Sequence, residues 1–536
     1  QANEDGYSRV VDGDTRTFWK SNPYLDRRFT GEPDDRHPQW LLVDLEELHG
    51  VDAARIHWGT PFATRYAVQY WAGAQPRDPD DDSDGEWRTF AHGAVTGAHG
   101  GTTTLRLADT PVRARWLRVM MYESSHTAER GSVDVRDSLG YAIRELELGT
   151  LTSDGSFTDI VRHASSAARQ TRVTASSTDP WHRATDRDEN VEQPGIDLMF
   201  SSGMTRGLPM LLPVGVLYDT PDNAAALLRY VRRRGYPVPR LELGEEPDGQ
   251  YVSPDDFAAL YLQTADQLHA VDPSVRLGGP SFQSNEIDAM MAWKQGATDR
   301  PWTARFMDVL RARRRTSDFT FLSFEWYPFD TLCTPTPPQL ARAVPRLREA
   351  LARFRDEGLP AGVPIVITEY GYSAFAGAPE VTRAGAILNT ESVAAFLTLG
   401  GSQAFLYGTE PSALDRNAEC DSWGDNTLFI ANGERRVSAP TATYHAARML
   451  TTLWADSAGG VHTLYRALAT VPGTRDSARI GAYPVRRPDG RLALLLVNRD
   501  STHAWRVALP AAGSASPMRG PFDLWQLSAT EYEWHP

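Results

Sequence analysis

From the start to about residue 149 the chain alternates apolar and polar residues in short runs. "WLLVDL", "ARIHWG", "YAVQYWAG", "TTTLRLA" and "RARWLRVMMYE" are separated by turns rich in Gly, Asp and Pro. A period of two places one face of each strand on a core, so residues 1–149 are expected to form a β-sandwich of jelly-roll type. The acidic stretch "QPRDPDDDSDGEW" reads as a solvated hairpin tip. From about 150 to 455 apolar strand-like runs alternate with helical ones. "PMLLPVGVLYD" precedes "NAAALLRYVRRRG", "RLELGEEP" precedes "PDDFAALYLQTADQLHAV", and "VRLGGPSF" precedes "TARFMDVLRARRR". "FTFLSFEWYP", "PIVITEYGYS" and "SQAFLYGTEP" are each followed by a helical run in the same way. Repeated strand–helix pairs of this length predict a central (β/α)8 TIM barrel over 150–455. Six units are clear; "TRVTASST" is the candidate first strand, and the second falls within "GIDLMFSSGMTRG". Residues 456–536 return to β patterning in "ARIGAYPVRR", "RLALLLVNRD", "HAWRVALP" and "DLWQLSA", which predicts a C-terminal β-sandwich. The whole is a multidomain reading.

Composition narrows the function classes. A net charge of -14 argues against nucleic-acid binding, which needs Lys/Arg patches. No apolar run approaches the roughly 18 residues that span a bilayer. The chain opens on polar "QANEDGYS", as a trimmed secreted protein would. Its two cysteines, Cys333 and Cys420, are either free thiols or one disulfide. Both lie in polar loops, "TLCTPTPP" and "NAECDSWGD", which favours the disulfide and an oxidising, extracellular compartment.

In a barrel of this kind the working residues stand at the C-terminal ends of strands. Two strand ends carry a glutamate before a turn: Glu246 in "LELGEEPDG" and Glu369 in "IVITEYGYS". Paired carboxylates from separate strands suit glycoside hydrolysis, in which one protonates the leaving oxygen and the other attacks the anomeric carbon. The bland alternative is two surface carboxylates. The "G-x-EP" and "TEYG" pieces together resemble glycoside hydrolase clan A, and within it the retaining family 39 group, over about 300 residues. The resemblance implies that Glu246 is the general acid/base and Glu369 the nucleophile. Two positions depart from it. Glu245 stands where clan members usually have Asn, and Glu325 in "EWYP" where relatives often have His. Crowded carboxylates raise at least one pKa, which suits an acid catalyst; they also suit an unusual substrate, a bound cation or neutralisation by Arg.

Other candidates for holding sugar are Asp179, Trp181 and His182 in "STDPWHRATDRD", and Tyr218 in "VLYDTP". Trp326 and Tyr327 follow Glu325, Tyr372 follows Glu369, Tyr407 ends the last strand, and Trp423 lies in the loop after it. Aromatic faces pack against the C–H faces of sugar rings. A Cys333–Cys420 bridge would pin the rim of such a pocket. There is no metal-spaced His pair, no nucleophilic Ser or Cys motif and no phosphate loop, so no metal or organic cofactor is expected in the barrel. The N-terminal pieces "DGD-x-x-T-x-W", "QWL-x-VDL" and "YAIRELELG" resemble a discoidin (F5/8 type C) domain. That resemblance implies loops that bind sugar and, in some members, a structural Ca2+, for which Asp12 and Asp14 are the candidate ligands. The expected partner is an oligo- or polysaccharide. Two rivals remain: a non-catalytic glycan-binding protein on a degenerate barrel, and a transglycosylase using the same carboxylates.

Overall fold

The computed structural model describes residues 6–76, 84–180, 195–285, 300–470, 479–509 and 521–535. It divides into two compact units: Gln1–Thr320 with Glu357–Leu359, and Phe321–Asp356 with Pro360–Pro536.

The first unit begins with a sandwich of two antiparallel sheets. Its strands are β1 (Trp19–Lys20), β2 (Gln39–Val51), β3 (Ala53–Trp58), β4 (Ala63–Gly73), β5 (Gly85–Thr96), β6 (Thr102–Arg106), β7 (Val112–Ser124), β8 (Ala142–Leu151), β9 (Phe157–Asp159) and β10 (Arg172–Ala175). One sheet has the order β1-β8-β3-β6 with β9 on β8; the other is β10-β2-β7-β4-β5. Leu41, Val43 and Leu45 of β2 meet Leu117, Val119, Ile143 and Leu146 in the core between the sheets. The intervening Trp40 and Leu42 pack outward with Trp71, Trp116 and Met120, and Tyr251 covers that cluster. Burial of both faces explains why "QWLLVDL" is almost continuously apolar.

Two expected barrel strands fall elsewhere. "TRVTASST" supplies β10, which runs antiparallel to β2 with Ala175 opposite Leu41, so it completes the sandwich. "GIDLMFSSGMTRG" holds helix α2 (Ile196–Ser201), numbered after the single turn α1 (Arg27–Thr30). Asp197 and Phe200 share one face at helical spacing. The Asp197 carboxylate accepts from the Tyr230 hydroxyl at 2.6 Å, and Phe200 stacks on Tyr236 at 4.0 Å.

The unit then builds three parallel strands, β11 (Leu211–Val214), β12 (Arg240–Leu243) and β13 (Arg276–Phe282), with Leu212 beside Leu241 and Leu241 beside Leu277. Helix α3 (Pro221–Arg234) and helix α4 (Pro254–Val271) connect them, and α5 (Trp302–Ala312) follows. Ser253 caps α4 by accepting the Asp256 N–H, with Pro254 in the first turn. The α4 helix also ties this segment to the sandwich: His37 Nδ1 lies 2.7 Å from Asp256 Oδ1, and Gln263 donates to the Tyr24 carbonyl at 2.9 Å.

The second unit has three parallel strands, β14 (Leu322–Trp326), β15 (Ile365–Tyr370) and β16 (Gln403–Ala404). Helix α6 (Thr336–Asp356) lies between the first two; the short α7 (Ala378–Val381) and α8 (Arg383–Thr398) lie between the second and third. Two small hairpins follow, β17 (Asp415–Asn417) with β18 (Ser422–Gly424), and β19 (Phe429–Ala431) with β20 (Val437–Pro440), then helix α9 (Ala442–Met449). The expected C-terminal sandwich is reduced to one sheet, β21 (Thr463–Leu464), β22 (Ile480–Arg486) and β23 (Leu492–Asn498). "HAWRVAL" and "DLWQLSA" form no strand, so among the described residues no second layer covers it; Leu492, Leu494 and Leu496 are exposed. No described helix is long and apolar enough to cross a membrane.

Candidate active site

The two halves of the glutamate constellation belong to different units. In the first, β12 ends at Leu243 and the chain turns through Gly244, Glu245 and Glu246. Glu246 has φ +45°, a left-handed conformation that costs a glutamate about 1–3 kcal/mol unless its surroundings hold it. Its N–H donates to the carbonyl of Ser281, itself left-handed at φ +55°, at 2.9 Å. Asp248 completes the clamp. It is fully buried, and its carboxylate accepts the N–H groups of Gln283 at 3.2 Å and Ser284 at 3.0 Å. Burial pushes this carboxyl up to about 7 against the pull of those donors, and the nearby Glu246 charge adds to the rise. Sequence reading passed over Asp248. Its one signal is an Asp directly after Pro247, within a turn that ends a buried strand.

Glu245 is exposed and Glu246 half-buried. Tyr218 is exposed beyond β11. Asp179 stands elsewhere than expected: its carboxylate pairs with Lys20 at 3.1 Å and its N–H donates to the Lys20 carbonyl, within the sandwich. Trp181 and His182 lie outside the described residues.

In the second unit, Glu325 of β14 and Glu369 of β15 are register partners on adjacent parallel strands. Phe324 packs on Phe354 of α6 and Phe396 of α8, so strand alternation sends the buried Glu325 to the face away from those helices. The Tyr327 hydroxyl donates to Glu369 Oε2 at 2.9 Å. Burial, then the charges of Glu369 and Glu325, hold that phenol well above its ordinary pKa, so it stays a donor. Tyr407, half-exposed, sets its ring edge-on to Tyr327 with centroids 6.3 Å apart. Gly371 is glycine because of close approach. A Cβ there would sit 2.4 Å from Asn426 Oδ1 and 2.9 Å from Tyr327 Cε1. Asn426 in turn donates to the Ser373 carbonyl.

Two expected pocket aromatics are packing residues. Tyr372 is fully buried with Phe329 and Leu340 and donates to Gln339 at 2.6 Å. Trp326 is buried against Phe324. Trp423 is 46% exposed on β18, beside the Cys333–Cys420 disulfide, whose Cα atoms are 5.4 Å apart. Asn417 and Ser422 of that hairpin hydrogen-bond the backbone at Ala376 and Ala378. The bridge therefore pins together the loops that follow β14, β15 and β16.

The turn proposed for Ca2+ satisfies itself. Asp12 accepts from the Asp14 N–H and the Thr17 hydroxyl, and Asp14 pairs with Arg16 at 2.7 Å.

No curated protein matches the chain. Among solved structures, a glucosidase from Croceicoccus marinus is 16% identical over 55% of this chain and 59% of its own, with a TM-score of 0.38. A family 39 β-xylosidase from Caulobacter crescentus is 18% identical over 49% and 52%, with a TM-score of 0.31. A chitosan-binding module, in complex with chitotriose, from a Paenibacillus chitosanase/glucanase is 19% identical over 28% of this chain and 89% of its own, with a TM-score of 0.20. An F5/8 type C family model, described as a NedA-like, galactose-binding domain, matches residues 9–119. The N-terminal sandwich is a discoidin-like domain.

Proposed function

We propose that the chain is a retaining glycoside hydrolase acting on an oligo- or polysaccharide, with Glu369 as nucleophile and Glu246 as general acid/base. The observation that carries this reading is the hydrogen bond from Tyr327 to Glu369 Oε2 at 2.9 Å. A donor on a carboxylate favours its ionised form and fixes its direction, which a nucleophile requires. Glu369 attacks the anomeric carbon while Glu246 gives its proton to the leaving oxygen. Glu246 then takes a proton from water, and that water displaces Glu369 from the sugar. Burial, with a smaller contribution from the Glu246 charge, lifts the Asp248 carboxyl to about 7, so this turn holds beside Glu246 an acid that titrates near neutral pH. The exposed Trp423 and half-exposed Tyr407 offer faces for sugar rings, and the disulfide suits an extracellular setting.

The test is the wild type, Glu369→Ala and Glu246→Ala against a panel of aryl glycosides and polysaccharides, with products read by mass. Release of sugar by the wild type alone supports the reading. Glu325 beside Glu369 favours the rival, a glycan-binding protein on a degenerate barrel. That rival gains if all three proteins bind a glycan equally and none turns it over. Products heavier than the substrate would mark a transglycosylase.

A further inference from the structure

In the discoidin-like domain, one ligand-type atom from each of Asp26, Asp34 and His126 converges within 4.8 Å. His126 Nε2 is 2.9 Å from Asp26 Oδ2 and 3.7 Å from Asp34 Oδ2. The other oxygens are already anchored: Asp26 Oδ1 accepts the Arg28 N–H at 2.9 Å, and Asp34 Oδ1 the Arg27 N–H at 3.2 Å. Asp34 Oδ2 also receives a long 3.4 Å contact from the Ser124 N–H. Both carboxylates are thus aimed at the imidazole by backbone that does not depend on it. Beside them Tyr141 is 3% exposed, and burial, then the charges of Asp34 and Asp26, hold its phenol well above its ordinary pKa, so it stays a donor.

We propose that Asp26, Asp34 and His126 bind one divalent cation of the zinc class, with a water in the fourth position facing the Tyr141 hydroxyl. Bonds of about 2.0–2.2 Å to a tetrahedral ion place ligand atoms roughly 3.3–3.5 Å apart. The two distances from His126, 2.9 and 3.7 Å, bracket that spacing. Two carboxylates neutralise the ion's charge. The imidazole selects zinc-like ions over Ca2+ and Mg2+, which take oxygen. The ion would join the loop that carries Asp26 and Asp34 to the loop after β7.

The test uses the full chain, stripped with a chelator and dialysed against Zn2+, then Co2+ as a spectroscopic stand-in. One Zn2+ per chain is expected, with visible Co2+ absorption typical of a four-coordinate nitrogen–oxygen site. Asp34→Asn keeps Oδ1 as the acceptor of the Arg27 N–H, and His126→Gln keeps the side chain polar. Each should weaken binding at least about tenfold, the lower end of what even supporting residues of metal sites contribute. Circular dichroism of each metal-free variant confirms that it is folded. No Zn2+ retained by the wild type, or equal retention by both folded variants, overturns the proposal. Neither outcome bears on Glu246 or Glu369, so this site stands or falls separately from the hydrolase reading.

Discussion

The side chain of Glu391 on α8 is 3% exposed and is gripped by residues of the C-terminal sheet and its flank. Arg499, with 8% of its side chain exposed, donates to Glu391 through Nε at 2.6 Å and Nη2 at 2.5 Å. The Tyr483 hydroxyl adds a third hydrogen bond at 2.8 Å. Removing one member of such a pair leaves a buried charge uncompensated, which costs about 3–5 kcal/mol. Removing both charges leaves the Tyr483 hydroxyl without its acceptor, about 1–3 kcal/mol. Glu391→Leu and Arg499→Leu should therefore each destabilise this sheet more than the double variant does. A chain of two units does not unfold in one step, so the readout is hydrogen exchange at the β22 and β23 amides, with the opening free energy taken from protection. Protection lost in the singles and largely recovered in the double is the expected result. A double variant that costs the sum of the singles, or singles that cost less than about 1 kcal/mol, would refute the claim that α8 and the sheet are held by a mutually compensating buried pair.

Tyr327→Phe removes one neutral-to-charged hydrogen bond, about 1.5–3 kcal/mol, so activity should fall roughly 10–100-fold and the acid limb of the pH–rate profile should move up; an unmoved limb would separate Tyr327 from Glu369. Gly371→Ala pushes a methyl into Asn426 and Tyr327, and should reduce kcat in the same way while leaving the thermal melt of the first unit unchanged. His163 sits between Glu145 at 2.5 Å and Asp159 at 2.7 Å; burial alone would lower its pKa, but the two carboxylates outweigh that and lift it to about 9. The folded-state pKa is above the unfolded one near 6.5, so this stability is full below about 6.5 and is lost as pH rises through about 9. Melting curves of His163→Gln should lack that loss. Asp248 has the opposite chemistry: an acid raised from 3.8 to about 7 favours unfolding once the unfolded chain can ionise, so stability should fall between about pH 4 and 7. Asp248→Asn should flatten that slope in chemical denaturation.

The periodicity of the chain was a good guide to element type and a poor one to element partners. "FLSFEWYP" and "PIVITEYG" form β14 and β15 where the apolar runs place them, because a buried strand of a parallel sheet needs such a run whatever its neighbours. The four residues of β10 satisfy the same pattern, yet they pair with β2, a segment more than a hundred residues earlier, and no local signal encodes that choice. Site residues divide the same way. A residue's type suggested a role, but direction decided it: Glu369 is half-buried and holds Tyr327, while Tyr372, three residues on, points wholly into the core. Asp179 had the right chemistry for sugar and the wrong neighbour, Lys20. The adjacent glutamates show most plainly why the backbone has to be seen. Consecutive carboxylates in an extended run point to opposite faces, and in a helix they diverge by about 100°. Here the turn switches to φ +45° at Glu246, leaving Glu245 exposed while the Glu246 backbone is bound to Ser281. Of the two, Glu246 is the one held at local conformational cost. Such strain persists only where surrounding contacts impose it, and here they include a buried carboxylate that would be expensive to keep for packing alone. The strain therefore marks Glu246, rather than Glu245, as the position that the fold of this turn holds in place.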